Sequence, residues 1–425
     1  MSSLLRRLQR TLNGRKETFE ETSTSSSIGA DLEASRFLQE RLNASGENTE
    51  RLDELAGATT EETPHGTCIQ FVTRYRLDAM HGSLSLQGTY IADCSRFNSL
   101  VGDEKLRTLD VSKSLFLDIE ATGLDHGAGT FAFMIGLGFV EANHFVVKQL
   151  FLPDIHEEQA MLFVLKKHLD HSDTLISFNG KSYDLTVLQS RMVIQRMYTT
   201  EECNLKLQPH LDLLHLSRNM YRGIYENTRL PTLERGLLGF TRIDDVPSSL
   251  VPTMWYEFLR SRNAQPIRLV AEHNLYDVLS MVTLTGALAR DTTMDSPERP
   301  RQAHIALNLG RVWLRRKQYE QAIQALESAC PTLLDEANKT EKYRLLHTAY
   351  GRVKRYENQG FAIREWCALA PTESRAWLAN SIHQERRQKD LPGALSSAQQ
   401  VEILDSSPAN KRRISRLELR LARKA

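Results

Sequence analysis

The residues of this 425-residue chain that could do chemistry together are four carboxylates in three separate segments. Asp118 and Glu120 stand two apart in LFLDIEATGL, residues 115–124. The run Leu115, Phe116, Leu117 before them has the pattern of a strand buried on both faces. Alternate side chains of a strand share a face, so the two acids point the same way. Two like charges at the end of a buried strand are costly unless something neutralises them, and a divalent cation is the usual neutraliser. Asp184 lies in SFNGKSYDLTVL, where the strand TLISF (174–178) ends, Asn179-Gly180 turns, and a helix begins. A helix N-terminus holds a carboxylate comfortably. Asp277 lies in AEHNLYDVLSM, with His273 four residues earlier and therefore on the same, otherwise apolar, helical face.

Four carboxylates so distributed suit two divalent cations, Mg²⁺ or Mn²⁺, which take oxygen ligands. Such a pair, about 3.5–4 Å apart, clamps the attacking and leaving oxygens of a phosphodiester. His273 suits taking the proton of the attacking water, since an unperturbed imidazole titrates near about 6.5. Lys181, beside the turn, suits a phosphate. Each residue also has a plainer structural reading: solvated acids at a strand edge, Asp184 as a helix start, His273 as a core histidine. Asp212 in HLDLLHLSR fits either orienting the metal ligands or capping a strand-to-helix turn. Arg229, just before LPTLERGLLG, and Arg235 within it fit backbone contacts to nucleic acid or surface ion pairs. The loop Gly127-Ala128-Gly129 offers backbone amides to a phosphate, without the Lys-Ser/Thr of a nucleotide-triphosphate loop.

The motifs DIEATG, NGKSYD and HNLYD resemble the three exonuclease motifs of the DEDD (DnaQ-like) superfamily, on a ribonuclease-H-like fold. More closely, LDIEATGL, HGAGTFAFMIG, SFNGKSYDLTVL, HLDLLHLSR, LPTLERGLLG, DDVPSSLVP and EHNLYDVLS are similar to the YprB-like ribonuclease-H-like family. The likeness covers roughly 65–290, and some members carry C-terminal repeats. It implies metal ligation by Asp118, Glu120, Asp184 and Asp277, with His273 as base. It also implies substrate contacts at Thr122, Asn179, Lys181 and Tyr183, and 3′–5′ exonuclease action on single-stranded DNA or RNA. In the superfamily's histidine subclass the histidine stands five before the last Asp. Here His273 stands four before Asp277, the tyrosine-subclass spacing, an arrangement the YprB-like family shares. Tyr276 would point about 100° from Asp277 on a helix. Structure-specific endonuclease action and a catalytically weak binding protein are the alternative functions.

The elements that must position these groups read as an α/β ribonuclease-H-like mixed sheet with flanking helices, then an all-α helical-repeat, tetratricopeptide-like region. Residues 1–64 read as a polar, flexible arm, with one helix near 31–43 and a basic stretch at 1–16 that mimics a transit peptide. Residues 65–110, with CIQFVTRYRL and GTYIA as strands, form a β-rich lead-in. The exonuclease domain spans 111–290. Strands at 131–140 and 144–152, with Gly138 and Asn143 near their turn, make a meander with the acidic strand. Helices are expected at 157–169, 184–196 and 268–289. Residues 301–405 match the small-and-large spacing of tetratricopeptide units, starting with Ala306, Gly310, Trp313, Ala322 and Leu326. This region is expected to bind a protein partner and to be dispensable for the chemistry, so that a chain ending near 298 should still cut. Residues 406–425 form a basic tail.

A net charge of +1 means that any nucleic-acid surface must be local. Five scattered cysteines without a CxxC argue against structural zinc or a disulfide framework and for a reducing compartment. No run of about 18 apolar residues suggests a membrane span, and the expected location is the cytoplasm.

Overall fold

Nine strands, among the described residues, carry the acidic segments. The computed structural model describes residues 50–123, 129–198, 204–205, 208–243, 245–293 and 299–423. The strands are β1 (Ala58–Thr63), β2 (Gly66–Arg76), β3 (Met80–His81), β4 (Leu84–Ser85), β5 (Ser114–Ala121), β6 (Ala132–Glu141), β7 (His144–Phe151), β8 (Thr174–Ser177) and β9 (His210–Asp212). Seven make one sheet in the order β1-β2-β7-β6-β5-β8-β9, and β3 and β4 form a separate ribbon. From β1 to β5 the pairing is antiparallel, while β8 and β9 add in parallel beyond β5. Parallel neighbours need crossovers. Helix α1 (Glu158–Asp170) leads from β7 to β8, and α2 (Asp184–Ile194) leads away from β8 toward β9.

Three further helices complete the layers: α3 (Leu213–Met220), α4 (Val251–Ser261) and the 29-residue α5 (Gln265–Thr293). Leu115, Leu117 and Ile119 of β5 enter one core with α1, α2 and α4. Phe116 enters the other, with α3 and α5. Asp118 and Glu120 share the parity of Phe116, which turns them toward α5. The approach of α5 requires glycine on β6. A Cβ at Gly136 would lie 2.3 Å from Asn274 Oδ1, and one at Gly138 would lie 2.6 Å from Val278 Cγ1. Gly138 is therefore a packing residue inside β6. The turn that the sequence reading sought there falls at Ala142-Asn143, where Ala142 adopts φ 53°.

Two other segments differ from expectation. Residues 58–63, assigned to the polar arm, form the edge strand β1, whose polar side chains suit a strand with one open side. GTYIA does not form a strand, because residues Leu86–Tyr90 turn helically. Ser85 Oγ accepts from Gly88 N at 3.2 Å, and Thr89 Oγ1 donates to Val282 O of α5 at 2.8 Å. The capping hydroxyl and the docking bond outweigh the β-branched composition. The arm helix near 31–43 and the basic stretch 1–16 lie outside the described residues.

From Pro300 on, the described chain is helical: α6 (Pro300–Arg315), α7 (Tyr319–Ser328), α8 (Glu336–Arg352), α9 (Tyr356–Leu369), α10 (Ser374–His383), α11 (Leu391–Leu404) and α12 (Pro408–Ala422). The core does not stop at the expected boundary. Ile305, Leu309, Val312 and Trp313 of α6 share a cluster with Phe97, Leu100 and Met220. Trp313 Nε1 donates to Ser99 Oγ at 3.0 Å, and Asn308 Nδ2 donates to the carbonyls of Met220 and Arg222 at 2.9 and 3.0 Å. A chain ended near 298 loses all of these contacts, so it is a poor test of the remaining helices. Trp313→Ala is expected to cost about 3–5 kcal/mol in chemical denaturation of the whole chain. A cost below about 1 kcal/mol would show that α6 contributes little to the sheet's core.

Candidate active site

Strand β5 presents Asp118 and Glu120 to the face on which α5 lies. Asp118 sits opposite Gly136 in the β5–β6 ladder, and the ladder shifts register just after Glu120. The room left by Gly136 is taken by Asn274, whose Nδ2 donates to Asp118 Oδ2 at 2.8 Å. Asn274 is itself held, because its Oδ1 accepts from Gln149 Nε2 at 2.9 Å, and that amide also donates to Ala271 O at 2.7 Å. One turn on, His273 and Asp277 face Glu120, and one ligand atom from each of the three lies within 4.8 Å of the others. Asp184 opens α2, and its buried Oδ2 has no hydrogen-bond partner. Gly180 leaves space beside it, since a Cβ there would stand 3.0 Å from that oxygen.

The crowding shows in the electrostatics. Burial, then Asp277, Glu120 and Asp184, pushes Asp118 well above the usual carboxylate range. Burial, Asp277 and Asp184 do the same to Glu120, against the pull of Arg242. Asp184 is pushed up to about 8 by burial, with Asp212 and Asp277 adding to it. A buried cation stands beside the cluster: the Arg242 side chain is 4% exposed and donates to Asp277 Oδ1 at 2.6 Å. The same Nη2 reaches Glu234 Oε1 at 2.5 Å, and Nη1 lies 3.3 Å from Asp245 Oδ2. His273 Nδ1 stands 2.6 Å from Asp245 Oδ1, which makes it the N–H donor. The 3.3 Å approach of Arg242 Nη1 to the same nitrogen is then not a second bond. Nε2 is left on the side of Asp277 Oδ2, at 3.5 Å. Burial lowers the imidazole pKa, but the bond to Asp245 and the charge of Asp277 outweigh it, and the net shift is upward.

The loop before α2 is organised by Asp212. Its Oδ1 accepts from Asn179 N at 2.9 Å and from Leu214 N at 3.0 Å, and its Oδ2 accepts from Lys181 N at 3.2 Å. One carboxylate thus caps α3 and also seats the turn that carries Asp184. Asn179 takes φ 72°, and its Oδ1 accepts from Ser182 Oγ at 2.9 Å. Tyr183 donates its hydroxyl to Gly123 O, and Thr122 Oγ1 accepts from Phe131 N at 3.0 Å, so both brace the end of β5. Lys181 Nζ lies 3.9 Å from Asp103 Oδ2.

Some candidates stand apart. Arg235 is 4.0 Å from Glu226 at the surface, and Arg229 is exposed ahead of the turn Leu230–Leu233. The Tyr276 hydroxyl donates to Glu272 Oε1 at 3.0 Å, and burial and Glu272 push it up to about 12. Gly127 and Ala128 lie outside the described residues. Sequence reasoning passed over Asn274, Arg242, Gln149, Glu234 and Asp245 as site residues. Asn274 had a signal, as a polar residue on the apolar helix face three before Asp277. Glu234 and Asp245 sat inside stretches that carried the family resemblance, while Arg242 had no local mark.

Residues 115–289 match the RNase_H superfamily model, and this stretch contains all four acids and His273. The chain is also similar to "Uncharacterized protein YprB" of Bacillus subtilis (strain 168), 26% identical over 315 residues, 72% of this chain and 73% of that protein. The class defined by fold and match is an RNase_H-like domain with a helix-rich C-terminal region, and YprB is a distant homologue. That class points to hydrolysis of nucleic acid. The donor set fits a divalent cation, for it consists of hard carboxylate oxygens and one imidazole, and the bare Asp184 Oδ2 is an oxygen that a cation would satisfy. No helix among the described residues is long and apolar enough to cross a membrane.

The raised carboxylates set a pH signature. A folded pKa above the unfolded value means that stability is lost as pH rises toward the folded value, which is about 8 for Asp184. Below about 6.5 the buried, neutral His81, His168 and His210, held down to about 4, 4 and 3, act in the opposite sense. The melting temperature of chelator-treated protein is therefore expected to fall from about pH 6.5 to 8. Mg²⁺ or Mn²⁺ should restore more at the upper end. His273 acts in the same direction, so Asp184→Asn should flatten the slope without abolishing it. A melting temperature unmoved by either cation at both pH values would rule out metal binding here.

Proposed function

We propose that the chain is a metal-dependent DEDD-type nuclease, acting as a 3′–5′ exonuclease on single-stranded DNA or RNA. The observation that carries this reading is the convergence of β5, α2 and α5 on one acidic cluster, with a buried carboxylate oxygen left without a partner. Asp118, Glu120, Asp184 and Asp277 would hold two Mg²⁺ or Mn²⁺ ions. When bound, such ions would acidify the attacking water and offset the charge that builds on the phosphate.

The chain's own groups do the rest. Asp245 keeps the proton on His273 Nδ1, so Nε2 is the nitrogen that accepts a proton from the attacking water. The arrangement has the logic of a base oriented by a carboxylate. Its price is a raised pKa, so His273 becomes a base only as pH passes above its ordinary value. Arg242 fixes Asp277 from behind, and Asn274 fixes Asp118. Lys181 and Tyr183, at the entrance to α2, are the proposed phosphate and substrate contacts, with Thr122 and Asn179 shaping the same edge. The paired helices beyond residue 300 are proposed to be tetratricopeptide-like repeats that recruit a partner. Gly310 supports this, because a Cβ there would stand 2.5 Å from Leu326 of the next helix, the close approach such units need.

End-labelled single-stranded DNA and RNA with Mn²⁺ or Mg²⁺ should give ladders that shorten from the 3′ end. Asp118→Asn and Asp184→Asn should each abolish cleavage while melting at or above the wild-type temperature, because each relieves like-charge crowding. His273→Ala should lose about 10²–10⁴-fold in turnover. Asp245→Asn should move the rising limb of the pH profile downward, since it removes an interaction that raises the imidazole. Near-wild-type cleavage by either aspartate variant would refute the reading, and an unchanged pH profile in the histidine variant would exclude His273 as the base.

A further inference from the structure

Residues 374–425 hold eleven Lys and Arg against five Asp and Glu, whereas the whole chain is only +1. Part of the surplus lines a groove. A groove of about 360 Å³ between α9, α10 and the turn Gln384–Gln388 is lined by His347, Tyr356, Arg375, His383, Arg386 and Arg387, and no carboxylate lines it. Among the described residues none of these three arginines is in an ion pair, and Arg387 Cζ lies over the Tyr356 ring, 3.8 Å from its centroid. His383 is 5% exposed, and its Nδ1 has no hydrogen-bond partner. The absence of a side chain at Gly360 makes room for that ring, since a Cβ would lie 2.7 Å from Nε2.

The acid beside the groove does not neutralise it. Glu385, next to Arg386, is buried and faces Arg413, Arg416 and Arg420 of α12. Three guanidiniums on one carboxylate leave positive charge in excess. Lys411, Arg412 and Arg423 lie on that same helix and line a second basic surface with Arg416 and Arg420.

We propose that this groove is a second nucleic-acid site, which holds the phosphate backbone of a single strand away from the acidic centre. Guanidiniums outside any ion pair among the described residues suit phosphates, which they can grip with two parallel bonds. Three arginines on one groove exceed what one ligand carboxylate would need and match a polyanion. The choice of nucleic acid over an acidic peptide rests on the nuclease reading.

The test is fluorescence anisotropy of a labelled oligo(dT) of about twenty nucleotides with full-length protein in EDTA, over a range of KCl. Replacing Arg375, Arg386 and Arg387 together by Gln should weaken binding at least about tenfold and lower the salt slope by about 2, from about 0.7 per phosphate contact on single strands. The triple Lys variant should keep most of the slope, and Arg375→Gln alone should lower it by about 0.7. Melting temperature, and cleavage of an oligonucleotide too short to span both sites, should match wild type in the Gln variant. Unchanged affinity and slope in the folded Gln variants would overturn the proposal. So would displacement of the oligonucleotide by polyglutamate more readily than by unlabelled oligo(dT), which would mark the groove as a site for acidic protein. If no variant and no wild-type protein cleaves, yet binding depends on the arginines, the nuclease reading fails and the groove stands.

Discussion

Like-charge repulsion among carboxylates held out of water is the constraint around which this fold is built. Asp118, Glu120, Asp184 and Asp277 each feel at least one of the others, and burial removes the solvent that would screen them. Two ionised carboxylates about 4 Å apart repel by about 4 kcal/mol at an effective dielectric constant of 20, and Asp118, Glu120 and Asp184 relieve it by holding protons above the usual carboxylate range. Arg242 is too widely shared to cancel this, because its guanidinium serves Glu234, Asp245 and Asp277 together. The protein alone therefore carries strain at this point, and binding of divalent cations is the natural way to discharge it.

The scaffold keeps the acids from drifting apart. Two glycines on β6 let α5 settle close enough for Asn274 to reach Asp118. Helix α2, which starts at Asp184, is pinned to α1 by a buried pair in which Arg191 grips both oxygens of Glu158 at 2.6 and 2.5 Å. The Arg191 guanidinium also lies 3.9 Å over the Phe131 ring. A pair this buried adds little net stability, but breaking it strands a charge, so it acts as a lock on helix position. Asp212 does the same for the turn before α2 through two backbone amides, and caps α3 through a third.

Charge is segregated along the chain. Residues 115–289, which hold the acidic centre, carry 15 Lys and Arg against 20 Asp and Glu, while residues 300–425 carry 23 against 13, so the total of +1 hides an uneven distribution. The halves are not mechanically separate, since α6 completes a core that begins at Phe97 and runs through α5. A change in the helical region can thus reach the sheet through packing as well as through bound ligand.

What the sequence determined by itself is local. An unbroken apolar run placed β5, the stretch 268–289 read as one long helix, and the two-residue and four-residue spacings put Asp118 with Glu120 and His273 with Asp277, because each rule acts over a single turn or pleat. The edge of the polar arm, GTYIA and Gly138 were misjudged where a partner element decided the outcome: β2 for residues 58–63, Val282 for Thr89, and Phe145 and Val278 for Gly138. Tertiary structure alone decided that Asn274 holds Asp118, that Asp245 sets the His273 tautomer, and that Arg242 backs Asp277. These pairs lie 28 to 156 residues apart. No spacing rule spans such separations, because hydrogen bonds and ion pairs act over a few ångströms of space and only folding brings those residues within reach.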